Sequence, residues 1–460
     1  MVRRLAICAA FATWCFLDTW VEFAEGTSAY FSRHDPVRAV AIPVLACQLV
    51  LTVGMFAVWE LFRKRRLTRR TGVHLLFLSS CLVPLGIAAV AAVRASPVNL
   101  IPAIQTHWFW LVVLAAVAVP LSFVFLRPFA ASHLMRGMLL WSWPVLAFVL
   151  FQAGRKTLLR YPAASYRDRP PAPPLPNPPR DVRVVWIIFD ETSQEIAFGN
   201  RPPGVQLPNL DRVRAGSFFA TAAKAPGETT LMSMPSLIVG EEAVDEIPRG
   251  PDGLYLRTRS QSKLVPLSAF PNVFDDAREL GFNTALVGWY HPYGRLLSRS
   301  LTEYFWTPHW LDAGVEQRFT PPSFAQSMWN RARLQLAALP GVGHLPGVYS
   351  SLYERQERIQ LFSLLLSRAL EWVADPAIGL VLLHLPVPHP PSIYSPSEGA
   401  LAANGHMGYL DNIVLADRTL GLLRRSIEEA GLWEPIRRPD QRRSWMAHLF
   451  LAEQSGMDGG

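Results

Sequence analysis

Long apolar segments alternate with short basic loops over the first third of the chain. The apolar segments cover residues 5–24, 37–62, 72–93, 108–126 and 134–154. Each is close to the ~20 residues that a helix needs to cross a bilayer. No acidic residue occurs in the sequence between Glu60 and Asp168. Lipid favours such a gap, because a carboxylate at the centre of a bilayer costs about 3 kcal/mol. The pattern predicts five transmembrane helices within residues 1–158.

The basic residues of this region determine the predicted orientation of the helices. They precede the first apolar segment and lie in the second and fourth connections, at Arg3, Arg4, Arg63, Lys64, Arg65, Arg66, Arg69, Arg70, Arg127 and Arg136. The positive-inside rule places these connections in the cytoplasm. Five spans from a cytoplasmic N-terminus carry the rest of the chain outside. We therefore predict an integral protein of the cytoplasmic (inner) membrane, with the lipid bilayer as a partner and an extracytoplasmic C-terminal domain.

A proline-rich segment follows the last apolar segment. Residues 162–179 contain eight prolines in eighteen positions. Proline fixes φ and lacks a backbone donor, so such a segment favours extended geometry over a packed core. It predicts a semi-rigid linker over residues 159–181.

Beyond the linker, apolar strand-like runs alternate with helix-like segments. The predicted strands are residues 182–189, 283–287 and 379–384, and the predicted helices include residues 274–280 and 409–430. Continuous apolar runs are typical of parallel strands buried on both faces. The last helix has apolar positions at three- and four-residue steps. The alternation predicts an α/β domain with a mostly parallel, doubly wound sheet.

Composition supports a membrane-anchored protein over a nucleic-acid-binding one. Of the 460 residues, 50% are hydrophobic and 17% are charged, and the mean hydropathy is +0.18. An ordinary soluble protein has about 25% charged residues. The net charge is +8, but the basic residues stand where membrane topology needs them and no nucleic-acid motif occurs. We therefore expect no nucleic-acid partner.

All the cysteines lie near the N-terminus, at Cys8, Cys15, Cys47 and Cys81. The predicted α/β domain consequently has no disulfide, no thiolate metal site and no cysteine nucleophile.

Two carboxylates follow the first predicted strand of the α/β domain, at Asp190 and Glu191. Ligands of open α/β sheets bind beyond the carboxyl ends of the strands, so these acids are well placed for a cation. A merely polar exit from the strand is the alternative.

Hydroxyl side chains cluster in residues 226–240, at Thr229, Thr230, Ser233 and Ser236. A hydroxyl at a helix N-terminus lies beside free amides that can hold a phosphate or sulfate. A divalent cation would lower the pKa of that hydroxyl and make it a nucleophile. Helix capping, a common role of threonine and serine, is the alternative.

Four short motifs occur in a characteristic order along this domain. They are DET at 190–192, PNLDR at 208–212, TxxSxP from Thr230, and HLPVPHPP at 384–391. In this order and behind five predicted spans, they resemble the sulfatase-like branch of the alkaline-phosphatase superfamily. The resemblance is greatest to membrane-bound phosphoethanolamine transferases and lipoteichoic acid synthases. It covers residues 182–433, with Pro390 where the family has a glycine.

The resemblance implies roles for five side chains. Glu191 and Thr230 would bind a divalent metal ion (zinc, manganese, magnesium or calcium). Asp190 is a further candidate ligand, but the transferases have a small residue at that position, so its role stays open. Thr230 would be the nucleophile. His389 would be the substrate-side histidine, with His384 also binding substrate. The implied activity is a metal-dependent hydrolysis or transfer acting on phosphate or sulfate esters that are lipid-linked or belong to the cell envelope.

Two other hydroxyls compete with Thr230 as nucleophile. Ser233 begins an SxPS sequence like that of serine-type sulfatases, but Leu237 stands where those enzymes need an arginine. Sulfatases also place the nucleophile ten residues before a glycine, and ten residues before Gly240 is Thr230. We rank Thr230 first, Thr229 second and Ser233 third.

Residues outside these motifs have weaker predicted roles. The WYHP sequence at 289–292 follows a strand and is a candidate lining of the substrate cleft. Asp411 and Asp417 are expected to face solvent or to cap their helix.

The chain departs from the family pattern after residue 434. The family continues with a strand that ends in SDHG, whose Asp and His complete the metal site. Residues 435–460 are rich in arginine, show no apolar strand of that type, and the sequence contains no Asp-His pair. We therefore expect an incomplete catalytic domain over residues 182–434, an anomalous and out-of-frame or truncated tail, and little or no activity. A catalytically inactive remnant or pseudoenzyme with a binding role only is the alternative to an enzyme.

Overall fold

The computed structural model describes residues 1–25, 28–32, 35, 37–66, 70–81, 126–158, 161–180, 182–308, 323–337, 351–433 and 448–450. The chain divides into two compact units. The first comprises Met1–Ser28, Pro36–Arg160 and Pro321–Ser350, and the second comprises Ala29–Asp35, Tyr161–Thr320 and Ser351–Gly460.

The described α-helices, in chain order, are α1 (Val2–Cys15), α2 (Leu17–Glu25), α3 (Ser28–Phe31), α4 (Ile42–Lys64), α5 (Thr71–Ser80), α6 (Pro128–Trp141), α7 (Trp143–Leu158), α8 (Pro208–Gly216), α9 (Thr230–Val239), α10 (Val273–Glu279), α11 (Tyr293–Leu296), α12 (Phe324–Ala337), α13 (Ser351–Val373) and α14 (Tyr409–Glu429). Short π- and 3₁₀-helical turns occur at Val37–Ala41, Ala163–Tyr166, Glu195–Gly199 and Leu267–Ala269. The described strands are β1 (Val184–Phe189), β2 (Ala243–Pro248), β3 (Leu254–Thr258), β4 (Val265–Pro266), β5 (Thr284–Tyr290), β6 (Glu303–Pro308), β7 (Leu380–Leu385), β8 (Tyr394–Ser395), β9 (Ala400–Leu401) and β10 (His448–Phe450).

The first unit is helical. Within its described part, two segments are long and apolar enough to cross a membrane, Val37–Lys64 and Pro128–Arg155. The prediction of five spans is therefore not met. Residues 5–24, predicted as one span, are divided into α1 and α2 because Phe16 leaves helical geometry at φ −120° and ψ 19°. Most of the predicted span 108–126, and the second half of that at 72–93, lie outside the described residues.

The second unit is built on a five-stranded sheet in the order β10-β1-β7-β5-β6. Every neighbouring pair of strands in this sheet is parallel. Side chains of α13 and α14 pack on one face of the sheet, and side chains of α9 and α10 pack on the other. The predicted α/β domain with a mostly parallel, doubly wound sheet is confirmed, because the long apolar runs form strands covered on both faces.

One strand of this sheet lies in the tail. His448–Phe450 pairs in parallel with β1, with Trp186 opposite His448 and Ile188 opposite Phe450. Residues 435–460 therefore supply a three-residue strand, although not one that ends in the SDHG sequence of the family pattern. Backbone groups make this pairing, so three residues at the free edge of β1 are enough to form it.

The proline-rich segment is extended and is fastened along the second unit. The Ala172 N–H donates to the carbonyls of Ser298 and Leu301, at 3.0 and 2.8 Å. The Leu175 N–H donates to Asn283 Oδ1 at 2.8 Å. These bonds hold the segment against the domain, so it is more than a spacer.

Candidate active site

Polar side chains converge at the carboxyl ends of three neighbouring parallel strands. Asp190 and Glu191 follow β1, His384 lies near the end of β7, and His291 follows β5. These strands are adjacent in the order β1-β7-β5. A parallel sheet brings such strand ends to one edge, which is where open α/β sheets bind ligands.

The N-terminus of α9 adds Thr230 to this cluster. Its side-chain oxygen Oγ1 lies 3.5 Å from Asp190 Oδ1, and both residues are buried. Burial, and then the charge of Glu191, raise the pKa of Asp190 to about 7. The carboxyl group is therefore poised to exchange a proton with a neighbouring hydroxyl near neutral pH.

The three candidate nucleophiles have different surroundings. Thr229 is the N-cap of α9, and its hydroxyl accepts a hydrogen bond from the Met232 N–H at 3.3 Å. The Ser233 hydroxyl donates to the Gly227 carbonyl at 2.6 Å. Of the three, Thr230 has its hydroxyl at the carboxylate of Asp190, whereas the other two are engaged with backbone groups.

Glu191 and His389 are in contact next to Asp190. Glu191 has a φ of 62°, in the left-handed region that side chains other than glycine rarely adopt. Its Oε1 lies 3.3 Å from His389 Nε2. The His389 N–H also donates to the Asp190 carbonyl at 3.1 Å. The loops after β1 and β7 are therefore joined by a backbone hydrogen bond and by a contact between the Glu191 and His389 side chains.

The two ring nitrogens of His389 have different partners. His389 Nδ1 lies 2.6 Å from the Pro390 carbonyl, which can only accept, so Nδ1 is a donor. A neutral imidazole then has no hydrogen on Nε2. Burial raises the pKa of Glu191 and lowers the pKa of His389 to about 4. Burial therefore favours the neutral form of each of these two side chains.

His384 is the second histidine of the predicted motif and is fully buried. Its Nδ1 lies 3.2 Å from the Tyr293 hydroxyl. Its Nε2 lies 3.9 Å from Asp190 Oδ2, which is too long for a hydrogen bond. Within the described part of the chain, neither His384 Nε2 nor Asp190 Oδ2 has a hydrogen-bond partner. Burial lowers the pKa of His384 to about 3, so the ring is neutral.

His291 belongs to the WYHP sequence that we predicted to line the cleft. It is buried, and its Nε2 lies 3.0 Å from the Thr230 carbonyl. Its Nδ1 lies 2.7 Å from the hydroxyl of Tyr30. His291 therefore contacts the backbone of the candidate nucleophile, while its other nitrogen contacts a residue of the N-terminal third.

Asn412 supports the loop that carries His389. Its Nδ2 donates to the Pro388 carbonyl at 3.2 Å, and its Oδ1 accepts from the Ile393 N–H at 2.9 Å. Asn412 is not among the residues predicted from the sequence. The sequence did contain one indication of this role, because Asn412 is a polar residue within the apolar stripe of α14. A buried amide needs hydrogen-bond partners, so such a residue is expected to bind nearby polar groups.

Arg358 of α13 is a second residue that the sequence analysis missed. Its guanidinium lies 4.5 Å from the centre of the Trp289 ring, and Nη2 donates to the Pro390 carbonyl at 3.1 Å. Its charge also opposes the rise in the pKa values of Asp190 and Glu191. Arg358 belongs to none of the sequence motifs and lies on a helix of mixed composition, so its role could not be predicted from the sequence.

The expectation for Asp417 is wrong. The residue is buried, and its carboxylate accepts hydrogen bonds from the Asn209 N–H, the Asn209 side chain and the Leu210 N–H. It therefore satisfies free N–H groups at the start of α8 and does not face solvent. Asp411 does cap its own helix, with Oδ2 accepting from the Gly408 N–H at 2.8 Å.

The predicted metal ligands supply part of a cation site. Asp190, Glu191 and Thr230 offer oxygen donors, and Asp190 Oδ2 is a buried atom without a hydrogen-bond partner. Among the residues that the structure describes, no group of three or more His, Cys, Asp or Glu side chains is arranged to hold a metal ion. The donors present fit part of a cation site, short of the four ligands that zinc normally has.

Comparisons with known proteins gave remote structural similarity alone. No family model and no curated protein matches the sequence. Among solved structures, Ps i-CgsB in complex with k-i-k-neocarrahexaose is similar at 13% identity and a TM-score of 0.36, over 55% of this chain and 56% of that one. A second crystal structure of Ps i-CgsB is similar at 13% identity and a TM-score of 0.35, over 57% of this chain and 56% of that one. This chain thus matches little more than half of the length of either structure, and similarity at this level says nothing of its substrate.

Proposed function

We propose that the protein is a membrane-anchored, sulfatase-like enzyme that acts on phosphate or sulfate esters, with Thr230 as its nucleophile. The observation that carries this proposal is the position of Thr230. Its hydroxyl lies at the first turn of α9, 3.5 Å from the Asp190 carboxylate at the carboxyl end of β1. A helix N-terminus favours an anionic group, so it suits the ester group that this hydroxyl would attack.

Each side chain of the cluster has a role in the proposed reaction. The Thr230 hydroxyl gives its proton to the Asp190 carboxylate while Oγ1 forms a bond to the phosphorus or sulfur atom. The bond from that atom to the leaving-group oxygen breaks. A pKa of about 7 makes Asp190 a suitable proton acceptor near neutral pH. His389 and His384 are proposed to hold the substrate.

We also propose that a divalent metal ion (zinc, manganese, magnesium or calcium) binds to Glu191, Asp190 and Thr230. Two adjacent carboxyl groups with raised pKa values and the unpartnered Asp190 Oδ2 support this part of the proposal. Such an ion, when bound, lowers the pKa of a coordinated hydroxyl.

The substrate is proposed to be lipid-linked or to belong to the cell envelope. The two candidate spans, Val37–Lys64 and Pro128–Arg155, support an anchor in the cytoplasmic membrane. The basic connections between apolar segments support an extracytoplasmic α/β domain. An enzyme held at that surface meets lipid head groups and envelope polymers, which offer phosphate esters.

A second proposal is a binding protein without turnover. It is favoured by the absence of a three-ligand group within the described ranges and of an Asp-His pair in the sequence. In that case the cluster around Asp190 and Thr230 would bind an anionic ester and leave it intact.

Covalent trapping distinguishes the two proposals. The full-length protein in detergent would be incubated with p-nitrophenyl phosphate, p-nitrophenyl sulfate or a fluorescent phosphoethanolamine lipid, each with zinc, manganese, magnesium or calcium. We expect mass spectrometry to find the modified peptide with the group on Thr230, absent from Thr230→Ala and retained in Thr230→Ser. Modification of Thr229 or Ser233 would refute the assignment of the nucleophile. No covalent adduct and no product under any condition would leave the binding role.

A further inference from the structure

A short N-terminal segment belongs to the unit that contains the candidate active site. Ala29–Asp35 lies in the second unit, although the chain on both sides of it, Met1–Ser28 and Pro36–Arg160, lies in the first. Arg295 holds the segment, with Nη2 donating to the Tyr30 carbonyl at 2.9 Å and Nη1 donating to the Ser32 carbonyl at 3.1 Å. Arg295 is buried, so these bonds form in the interior of the unit.

The side chain of Tyr30 reaches the candidate active site. It is fully buried and packs in the same core cluster as Met234 of α9 and Tyr293 of α11. Its hydroxyl lies 2.7 Å from His291 Nδ1. The other nitrogen of that ring, Nε2, lies 3.0 Å from the Thr230 carbonyl. One imidazole therefore connects Tyr30 to the residue proposed as nucleophile.

The chemistry of the partners determines the direction of both hydrogen bonds. The Thr230 carbonyl can only accept, so Nε2 of His291 must carry a hydrogen. His291 is buried and its two nitrogens face an uncharged carbonyl and an uncharged hydroxyl, so the ring is neutral with a single N–H. Nδ1 is then an acceptor, and the Tyr30 hydroxyl is the donor to it. Tyr30 thereby selects the tautomer that can hold the Thr230 carbonyl.

We infer that Tyr30 is a positioning residue, which acts through His291 to hold the Thr230 peptide group so that the Thr230 hydroxyl faces Asp190. This inference rests on the proposed nucleophile. Without the Tyr30 hydroxyl, His291 can adopt the Nδ1–H tautomer and present a lone pair to the Thr230 carbonyl. Two acceptors then face each other, and the peptide group that carries the nucleophile is no longer held.

Through Tyr30, the N-terminal third has a role at the reaction site in addition to membrane anchoring. The segment that supplies Tyr30 lies between α2 and α4, more than a hundred residues before the α/β domain begins. A domain expressed without that segment would lack the donor to His291 Nδ1.

Tyr30→Phe in the full-length protein tests the inference, because phenylalanine keeps the ring and its packing and removes the donor alone. Tyr304→Phe is the matched control, since it removes a tyrosine hydroxyl that donates to the Arg169 carbonyl in the same unit. We expect Tyr30→Phe to slow covalent modification of Thr230 at saturating substrate by about 10- to 100-fold, as a misplaced nucleophile does. The KM should change less than about 3-fold, and Tyr304→Phe should react at the wild-type rate.

His291→Gln separates positioning from general structure. The glutamine amide can donate to the Thr230 carbonyl and has no tautomer to select. Adding Tyr30→Phe to His291→Gln is therefore expected to change the rate less than about 2-fold. An equal loss from Tyr30→Phe in both backgrounds would overturn the inference, because the effect would then bypass His291.

Nitrogen NMR of histidine-labelled protein gives a readout that needs no activity. The His291 signals, assigned by their loss in His291→Gln, are expected to show the Nε2–H tautomer in the wild type and a mixture of tautomers in Tyr30→Phe. If the wild type forms no adduct, the proposed function fails, and this measurement alone decides the link between Tyr30 and His291. Unchanged tautomer signals in Tyr30→Phe would overturn the inference.

Discussion

Asp417 of α14 caps a different helix, through Asn209 at the start of α8. Its Oδ1 accepts from the N–H groups of Asn209 and Leu210 at 2.9 and 2.7 Å, and its Oδ2 accepts from Asn209 Nδ2 at 2.9 Å. The PNLDR sequence therefore serves to join two helices that are about two hundred residues apart in the chain.

Removal of this carboxylate should destabilise the second unit. Asp417→Ala leaves buried N–H groups at the start of α8 without a partner, and we expect a loss of about 3 kcal/mol in unfolding free energy. Glu429→Ala is the control, because it removes an exposed carboxylate from the same helix and should change stability by less than about 0.5 kcal/mol. Denaturant unfolding in detergent measures both. Equal stability of the two variants would contradict the capping role.

The three hydroxyls at the start of α9 should respond differently to removal. Thr230→Ala is expected to abolish covalent modification, while Ser233→Ala should retain it within about 3-fold because its hydroxyl is committed to the Gly227 carbonyl. Thr229→Ala removes the N-cap and should cost about 1 kcal/mol of stability with little change in the reaction. Rates of adduct formation and melting curves separate these effects. A loss of reaction in Ser233→Ala with full reaction in Thr230→Ala would reverse the assignment.

The raised pKa of Asp190 predicts a pH-dependent stability of the metal-free protein. Its value is about 7 in the folded state, whereas an unfolded aspartate titrates near about 3.9. Between these values the folded state binds a proton that the unfolded state has lost. The contribution of Asp190 to the stability of the metal-free protein should therefore fall as pH rises from about 4 to about 7, so the stability of the wild type should decline relative to that of Asp190→Asn over this range.

Melting temperatures across that range, with chelator and with added divalent metal, test this prediction. Asp190→Asn has no proton to lose and should lack the decline. A bound cation favours the charged carboxylate and should remove the decline in the wild type. The same pH slope in the wild type and in Asp190→Asn, both with chelator, would show that Asp190 is not the source.

The proposed topology can be tested with single cysteines. Cys8, Cys15, Cys47 and Cys81 are all buried and can be replaced by serine or alanine to give a background without cysteine. In that background, Ser217→Cys on the α/β domain is expected to react with an impermeant maleimide on intact cells. Arg65→Cys, after α4, should react only once the membrane is permeabilised. The opposite pattern would refute the extracytoplasmic placement.

Elements with a strong local pattern could be predicted from the sequence. The predicted strands 182–189 and 379–384 correspond to β1 and β7, and the predicted helix 409–430 corresponds to α14. A strand buried on both faces needs a continuous apolar run, and a helix packed on a sheet needs an apolar stripe. The division of residues 5–24 at Phe16 was not predicted, because hydropathy records apolar content and not the continuity of a helix.

By itself, the sequence determined the parallel α/β core, the apolar N-terminal segments and the candidate residues Asp190, Glu191, Thr230, His384 and His389. Those features depend on short patterns and on the rule that strand ends share one edge of a sheet. Only the tertiary structure decided that Tyr30 reaches His291, 261 positions away in the chain. It also decided that Asn412 supports the His389 loop and that Asp417 caps α8. These contacts join residues that are distant in sequence. A buried hydrogen bond between two such residues depends on how the chain folds, and it produces no periodic pattern in the sequence from which it could be predicted.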